Sequence, residues 1–150
     1  MTQLKLFLLG SLVALGCSQF VNTVTDIKNQ ANTPLRCWEP VDESDLSIGH
    51  RLSAPIYPYC QYLVGSKGNF FVGGVEPESD DYSKIDAIFN PTVGNYAVGI
   101  VCLNEAASVS GPQKPSQTNF RCICVRNACN PPVELSKFIE HNNTPIKVDE

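Results

Sequence analysis

The side chains in this 150-residue chain best able to do specialised chemistry are seven cysteines, Cys17, Cys37, Cys60, Cys102, Cys122, Cys124 and Cys129, and two histidines, His50 and His141. Cys122-Ile-Cys124 followed by Cys129 gathers three thiols, which raises zinc binding or redox chemistry. Zinc sites usually use C-x2-C or C-x4-C pairs closed by a second pair or by histidines, and neither histidine stands in such an arrangement. A reactive C-x-C would need a strand-to-helix context that lowers a thiol pKa, and the flanking residues do not supply one. A hydrolase needs a base oriented by an acid beside a nucleophile. His50 lies between Gly49 and Arg51 in a polar loop, and His141 ends a tail segment, so both read as surface histidines. No G-x-S-x-G, H-E-x-x-H, phosphate-cradling or dinucleotide motif occurs. The carboxylates Glu76, Glu78, Asp80 and Asp81 lack calcium-loop spacing and read as a solvated face. The expectation is a non-enzymatic chain with no catalytic residue, bound metal or cofactor.

The first 18 residues read as a secretory leader: Lys5 supplies the positive end, Leu6 to Leu15 the apolar stretch, and Gly16, Cys17 and Ser18 the small residues of a cleavage site. The apolar stretch is about half the roughly 20 residues a membrane span requires. Val13-Ala-Leu-Gly-Cys17 also resembles a bacterial lipobox, in which Cys17 would carry the lipid. No later segment is long enough to span a bilayer, and the C-terminus lacks the hydrophobic tail of a lipid-anchor signal. A net charge of -4, with 43% hydrophobic and 17% charged residues, fits one globular domain and gives no footprint for a phosphate backbone. The expected product is secreted and extracellular, without nucleic acid and without a membrane span.

Removing Cys17 with the leader leaves Cys37, Cys60, Cys102, Cys122, Cys124 and Cys129, an even set that in an oxidising compartment reads as a disulfide framework. Residues two apart on a strand share a face, and a ring between Cys122 and Cys124 would be strained, so these two should reach different partners. Cys124 and Cys129 can close a small turn-like loop. The simplest of the many pairings runs in sequence order: Cys37 with Cys60, Cys102 with Cys122, Cys124 with Cys129.

These cysteines need elements to carry them. Gln19 to Thr33 is polar with little period, an arm leading through Pro34 into a first strand at Leu35 to Trp38. Val41 to Pro58 has loop composition, its charges Asp42, Glu43 and Asp45 facing water. Tyr59 to Val64 and Asn69 to Val75 are aromatic and β-branched strands joined by the hairpin signal Gly65-Ser-Lys-Gly68. Ser83 to Phe89 predicts a helical turn ending at Asn90-Pro91. Tyr96 to Leu103 alternates like a buried central strand, Ala106 to Thr118 reads as a mobile loop, and Asn119 to Val125 returns as a strand. Past Pro131-Pro132, Val133 to His141 places Leu135, Phe138 and Ile139 on one side of a short helix expected to pack on the sheet. Trp38 is expected to cover a neighbouring disulfide. Asn142-Asn143-Thr144 is a glycosylation acceptor at Asn142, with Pro145 directly after it.

The ending Arg121-Cys-Ile-Cys-Val-Arg-Asn-Ala-Cys129-Asn130 resembles the C-terminal signature of the three-finger superfamily, the lymphocyte-antigen and urokinase-receptor type domains, whose last two cysteines enclose four residues and precede asparagine. In that family the first and fifth cysteines bridge the first finger, which corresponds to Cys37 and Cys60, 23 residues apart; Cys102 and Cys122 correspond to the pair bracketing the third finger. The four family cysteines absent here would form two complete pairs. The chain departs from the pattern at Cys122-Ile-Cys124, where the family has adjacent cysteines, and at Asn127-Ala128, where an acidic residue is common. The ending is also similar to that of small secreted cysteine-rich modules of nematodes. The resemblance, which covers roughly Leu35 to Asn130, implies a mostly β, three-finger-like antiparallel sheet; with the segments read above, the chain divides as leader 1–18, arm 19–34, disulfide domain 35–130 and tail 131–150 with a short C-terminal helix. The resemblance also implies binding of an extracellular protein through loops; a structural or storage role in an extracellular fluid or matrix is the competing expectation.

Overall fold

The structure, a computed structural model, describes residues 24–65, 68–76, 82–107, 111–113 and 117–143. The leader with Cys17, the tips of the two longer hairpins, most of the acidic run 76–81 and Thr144 of the glycosylation acceptor lie outside the described residues.

The polar arm is a helix over part of its length, α1 (Val24–Ala31). Ile27 and Ala31, one turn apart, press on a buried cluster, and the Asn32 and Thr33 side chains bond back to the Lys28 and Gln30 carbonyls, satisfying the last turn before Pro34 ends it. Leu35 then bridges to Tyr57, and β1 (Trp38–Pro40) pairs with β2 (His50–Leu52) as a two-stranded antiparallel sheet. The first strand therefore starts three residues later than its composition suggested, and the Val41–Pro58 loop holds a strand and a 3-10 turn at Leu46–Ile48.

Four strands, β3 (Tyr59–Val64), β4 (Phe70–Val75), β5 (Ile100–Ala107) and β6 (Gln117–Cys124), form an antiparallel sheet in the order β4-β3-β6-β5. The β3–β4 hairpin has the predicted limits within one residue, closed by a Gly65 N–H donating to the Asn69 carbonyl, with Gly68 at positive φ. The strand expected to be central, Tyr96–Leu103, starts at Ile100 and lies at the sheet edge. Alternation reports which side chains are buried, and Val101 and Leu103 do pack inward; it carries no information about how many strands flank the backbone. β3 takes the inner place beside β6, with Cys60 opposite Cys124 and Tyr62 opposite Cys122.

Because strand side chains alternate, the sheet has two apolar faces, each covered by helix. On one, Tyr59, Val75 and Ile123 meet Ile85 and Phe89 of α2 (Ser83–Phe89), and Tyr59 donates a hydrogen bond to Asp86. That burial and the Asp86 acceptor raise the Tyr59 pKa. On the other, Tyr62, Val72 and Cys122 receive Phe138 of α3 (Leu135–Asn143), whose ring stacks on Tyr62 at 4.2 Å. Trp38 packs on this second cluster, which contains Cys122, and not on the cluster that holds Cys37 and Cys60.

The bridges are Cys37–Cys60, Cys102–Cys122 and Cys124–Cys129, the pairing in sequence order. The first ties the segment before β1 to β3, the second crosses β5 and β6 at directly opposed residues, and the third closes the turn that leaves β6. That turn holds Ala128 at φ 56, its N–H donating to the Arg36 carbonyl. It ends at Asn130, which is fully buried. The Asn130 Oδ1 accepts from the Trp38 N–H at 2.9 Å, and Nδ2 donates to the carbonyls of Trp38 (2.9 Å), Gln61 (3.1 Å) and Gly73 (3.1 Å). One amide thus joins β1, β3 and β4.

Asn130→Ala removes all of these bonds and leaves buried backbone groups unpaired, so denaturant unfolding should show a loss of about 3 kcal/mol, and Asn130→Asp, which cannot donate, at least as much. The paired replacement of Cys37 and Cys60 by alanine releases a 23-residue loop and should cost about 3 kcal/mol in the same measurement, with no free thiol detectable in the parent protein.

Candidate functional site

All six expected framework cysteines are paired, and Cys37, Cys60, Cys122, Cys124 and Cys129 have almost no exposure, so their role is structural. The two histidines are far apart in role. His50 stacks on Phe70 at 6.1 Å, and His141, in α3, is held below the ordinary histidine range by partial desolvation and by the charge of Arg126, against a hydrogen bond to the Ala128 backbone. Among the described residues no three metal-ligating side chains converge. No helix among them is long and apolar enough to cross a membrane.

Asn142 stands in the last turn of α3. Its Nδ2 donates to the carbonyls of Cys129 (2.8 Å) and Phe138 (3.0 Å), and its Oδ1 accepts from Arg126 Nη2 (3.1 Å). A glycan replaces one of the two N–H hydrogens, so both donated bonds and a sugar on Nδ2 are mutually exclusive.

A groove of about 260 Å³ lies between the β1 side and β4. Its rim carries Glu39, Glu43 and Glu76 against one guanidinium, Arg121, and its walls include the rings of Tyr57 and Tyr82. Gly73 and Gly74 of β4 form the floor. A Cβ on Gly74 would fall inside the Tyr57 ring, so only glycine lets that ring lie against the strand. The Tyr57 hydroxyl donates to Glu39 Oε2 at 3.1 Å, while Glu39 Oε1 accepts from Arg51 Nε at 2.9 Å. Burial raises the Tyr57 pKa first, then the Glu39 bond, then the charges of Glu39, Glu76 and Glu43. Across the groove Arg121 bonds Glu105 at 2.7 Å, donates to the Tyr82 hydroxyl at 2.9 Å, and lies 5.7 Å from the centre of the Tyr82 ring. An acidic, aromatic-walled cleft of this kind is suited to binding, above all of a positive group.

Sequence reasoning did not single out Glu39, Tyr57, Tyr82 or Arg121, which come from four separated parts of the chain. The one signal was the Gly73-Gly74 pair inside a strand, since glycine there often marks close approach by another group. Of the acidic run, Glu76 reaches the groove; Glu78, Asp80 and Asp81 lie outside the described residues.

Gly74→Ala should expel the Tyr57 ring and break its bond to Glu39. The expected result is a lowered melting temperature, a loss of about 2 kcal/mol, and a Tyr57 ring signal shifted towards that of exposed tyrosine in NMR spectra.

Residues 22–143 match a family of unknown function, DUF5354. The chain is 42% identical over 128 residues to the uncharacterized protein C02B8.3 of Caenorhabditis elegans, covering 84% of this chain and 96% of that protein. It is 40% identical over 43 residues to the uncharacterized protein C02B8.7 of the same organism, covering 29% of this chain and 83% of that protein. No solved structure matches. With most of its length matched, the described sheet and all six bridged cysteines included, the chain belongs to the DUF5354 family of unknown function and has relatives in a nematode.

Proposed function

We propose that this chain is an exported, disulfide-framed protein of three-finger-like architecture that acts without catalysis, by binding another extracellular protein. The leader-like N-terminus and the complete pairing of Cys37, Cys60, Cys102, Cys122, Cys124 and Cys129 support export, since such bridges persist in oxidising compartments. Three antiparallel units, β1–β2, β3–β4 and β5–β6, with bridges at the positions the resemblance implies and a buried asparagine after the last cysteine, support the finger architecture.

The observation that carries the binding role is the loop from Val41 to Gly49. Its backbone is fully organised: the Val41 N–H donates to the Gly49 carbonyl, Ile48 to Asp45 and Gly49 to Leu46. Gly49 stands at φ 105, a conformation glycine adopts without cost. Yet Val41, Leu46 and Ile48 stay 42%, 47% and 56% exposed. A loop braced by its own hydrogen bonds that presents aliphatic side chains to water is suited to contact another surface, because less ordering entropy remains to be lost on binding.

Expressed with its own N-terminus in insect cells, the protein should appear in the medium with residues up to about Ser18 removed. Labelled, it should bind intact nematode cells saturably, with displacement by excess unlabelled protein. Retention inside the producing cell, or binding that never saturates, would overturn the reading.

A further inference from the structure

The groove adjoins the loop. Pro40 and Glu43 line the groove, and the loop departs from Pro40 and contains Glu43. Its two turns are locked by carboxylates: Asp42 Oδ1 accepts from the Ser44 N–H (2.8 Å) and hydroxyl (2.6 Å), and Asp45 Oδ1 accepts from the Ser47 N–H (3.0 Å) and hydroxyl (2.6 Å). These bonds hold Asp42 and Asp45 below the usual aspartate range, so both stay charged beside Val41, Leu46 and Ile48. The loop therefore carries exposed aliphatic side chains interleaved along the chain with charged carboxylates. The cleft at its base, about 260 Å³, is smaller than the ~300–1,000 Å³ usual for small-molecule sites and fits one side chain.

Complementarity defines the occupant. Glu39, Glu43 and Glu76 line the groove with Arg121; Glu39 is paired with Arg51 and Arg121 with Glu105, so four carboxylates stand against two guanidiniums and the set is net negative. Aromatic faces with carboxylates favour an ammonium or guanidinium, while an anionic lipid or nucleic-acid surface would be repelled. Resting on the binding role argued above, we propose that the groove and the Val41–Gly49 loop form a docking surface for a basic segment of a second protein, one Lys or Arg side chain entering beside Glu39 and Glu43 while its apolar neighbours cover Val41, Leu46 and Ile48.

The test uses the secreted, disulfide-bonded protein with nitrogen-15 labelling and two probes, acetyl-Leu-Arg-Leu-amide and the same peptide with citrulline in place of arginine. The arginine peptide should shift the amides of Gly73, Gly74 and Leu46 to Ile48 saturably, bind roughly tenfold tighter than the citrulline peptide, and weaken as salt rises. Glu43→Gln should weaken it roughly threefold and Leu46→Ser should weaken both peptides, each without change in melting temperature because both residues are exposed. Equal binding of the two peptides, shifts confined to another face, or no shift at millimolar peptide would overturn the proposal. The same two variants separate it from the broader reading in the cell-binding measurement. Full saturable binding by both removes this surface and leaves the binding role intact. Absence of saturable binding by the parent protein removes the binding role, and the peptide titration then decides the groove alone.

Discussion

A single buried side-chain amide holds the parts of this molecule together. Asn130 has two N–H hydrogens and shares them among three backbone carbonyls from β1, β3 and β4, while its oxygen takes the N–H of Trp38. Backbone groups of two different sheets would otherwise face one another with nothing to satisfy them, a costly state where Asn130 is fully buried. The two-stranded and four-stranded sheets are thus joined by side-chain hydrogen bonds rather than by a continuous strand ladder.

The last disulfide explains how Asn130 arrives there. Cys124–Cys129 closes a five-residue separation, and inside it Ala128 and Asn127 are tied to Arg36, through the Arg36 carbonyl and N–H respectively. Asn127 also donates its own N–H to Gln30 of α1. The turn after β6 is consequently pinned on the segment before β1, and the next residue is delivered into the gap between sheets. Cys37–Cys60 ties the same region to β3, so two bridges and Leu35 pack in one buried cluster next to Asn130 in the chain. The remaining stability is conventional: aromatic residues of β3, Tyr59 and Tyr62, point to opposite faces and are stacked on Phe89 and Phe138 of the two covering helices.

That scaffold also sets the groove. With β1 drawn against β4 by Asn130, the Tyr57 ring must fit between them, and it does so only because Gly74 has no side chain. Tyr57 in turn positions Glu39, and Arg51 of the opposing strand holds the carboxylate from the other side. The cleft is therefore a consequence of how the two sheets meet, and its acidic rim comes from β1, the following loop and the residue after β4.

Features that depend on near neighbours along the chain were legible in the residues. Alternation and turn residues marked β3, β4 and the hairpin between them, the Asn90-Pro91 stop ended α2, the spacing of Leu135, Phe138 and Ile139 marked α3, and the simplest of the many cysteine pairings is the one that forms. Where several weak apolar positions had to act together the signal was thin, as in α1, whose Ile27 and Ala31 matter only because a cluster waits beneath them. Only the folded chain shows that β5 lies at an edge, that the Asn142 amide bonds Cys129, Phe138 and Arg126, that Asn130 joins two sheets, and that Glu39, Tyr57, Gly74 and Arg121 face one cleft. Those outcomes depend on which distant backbones approach one another, and a periodic pattern encodes the burial of a side chain without encoding the identity of whatever buries it.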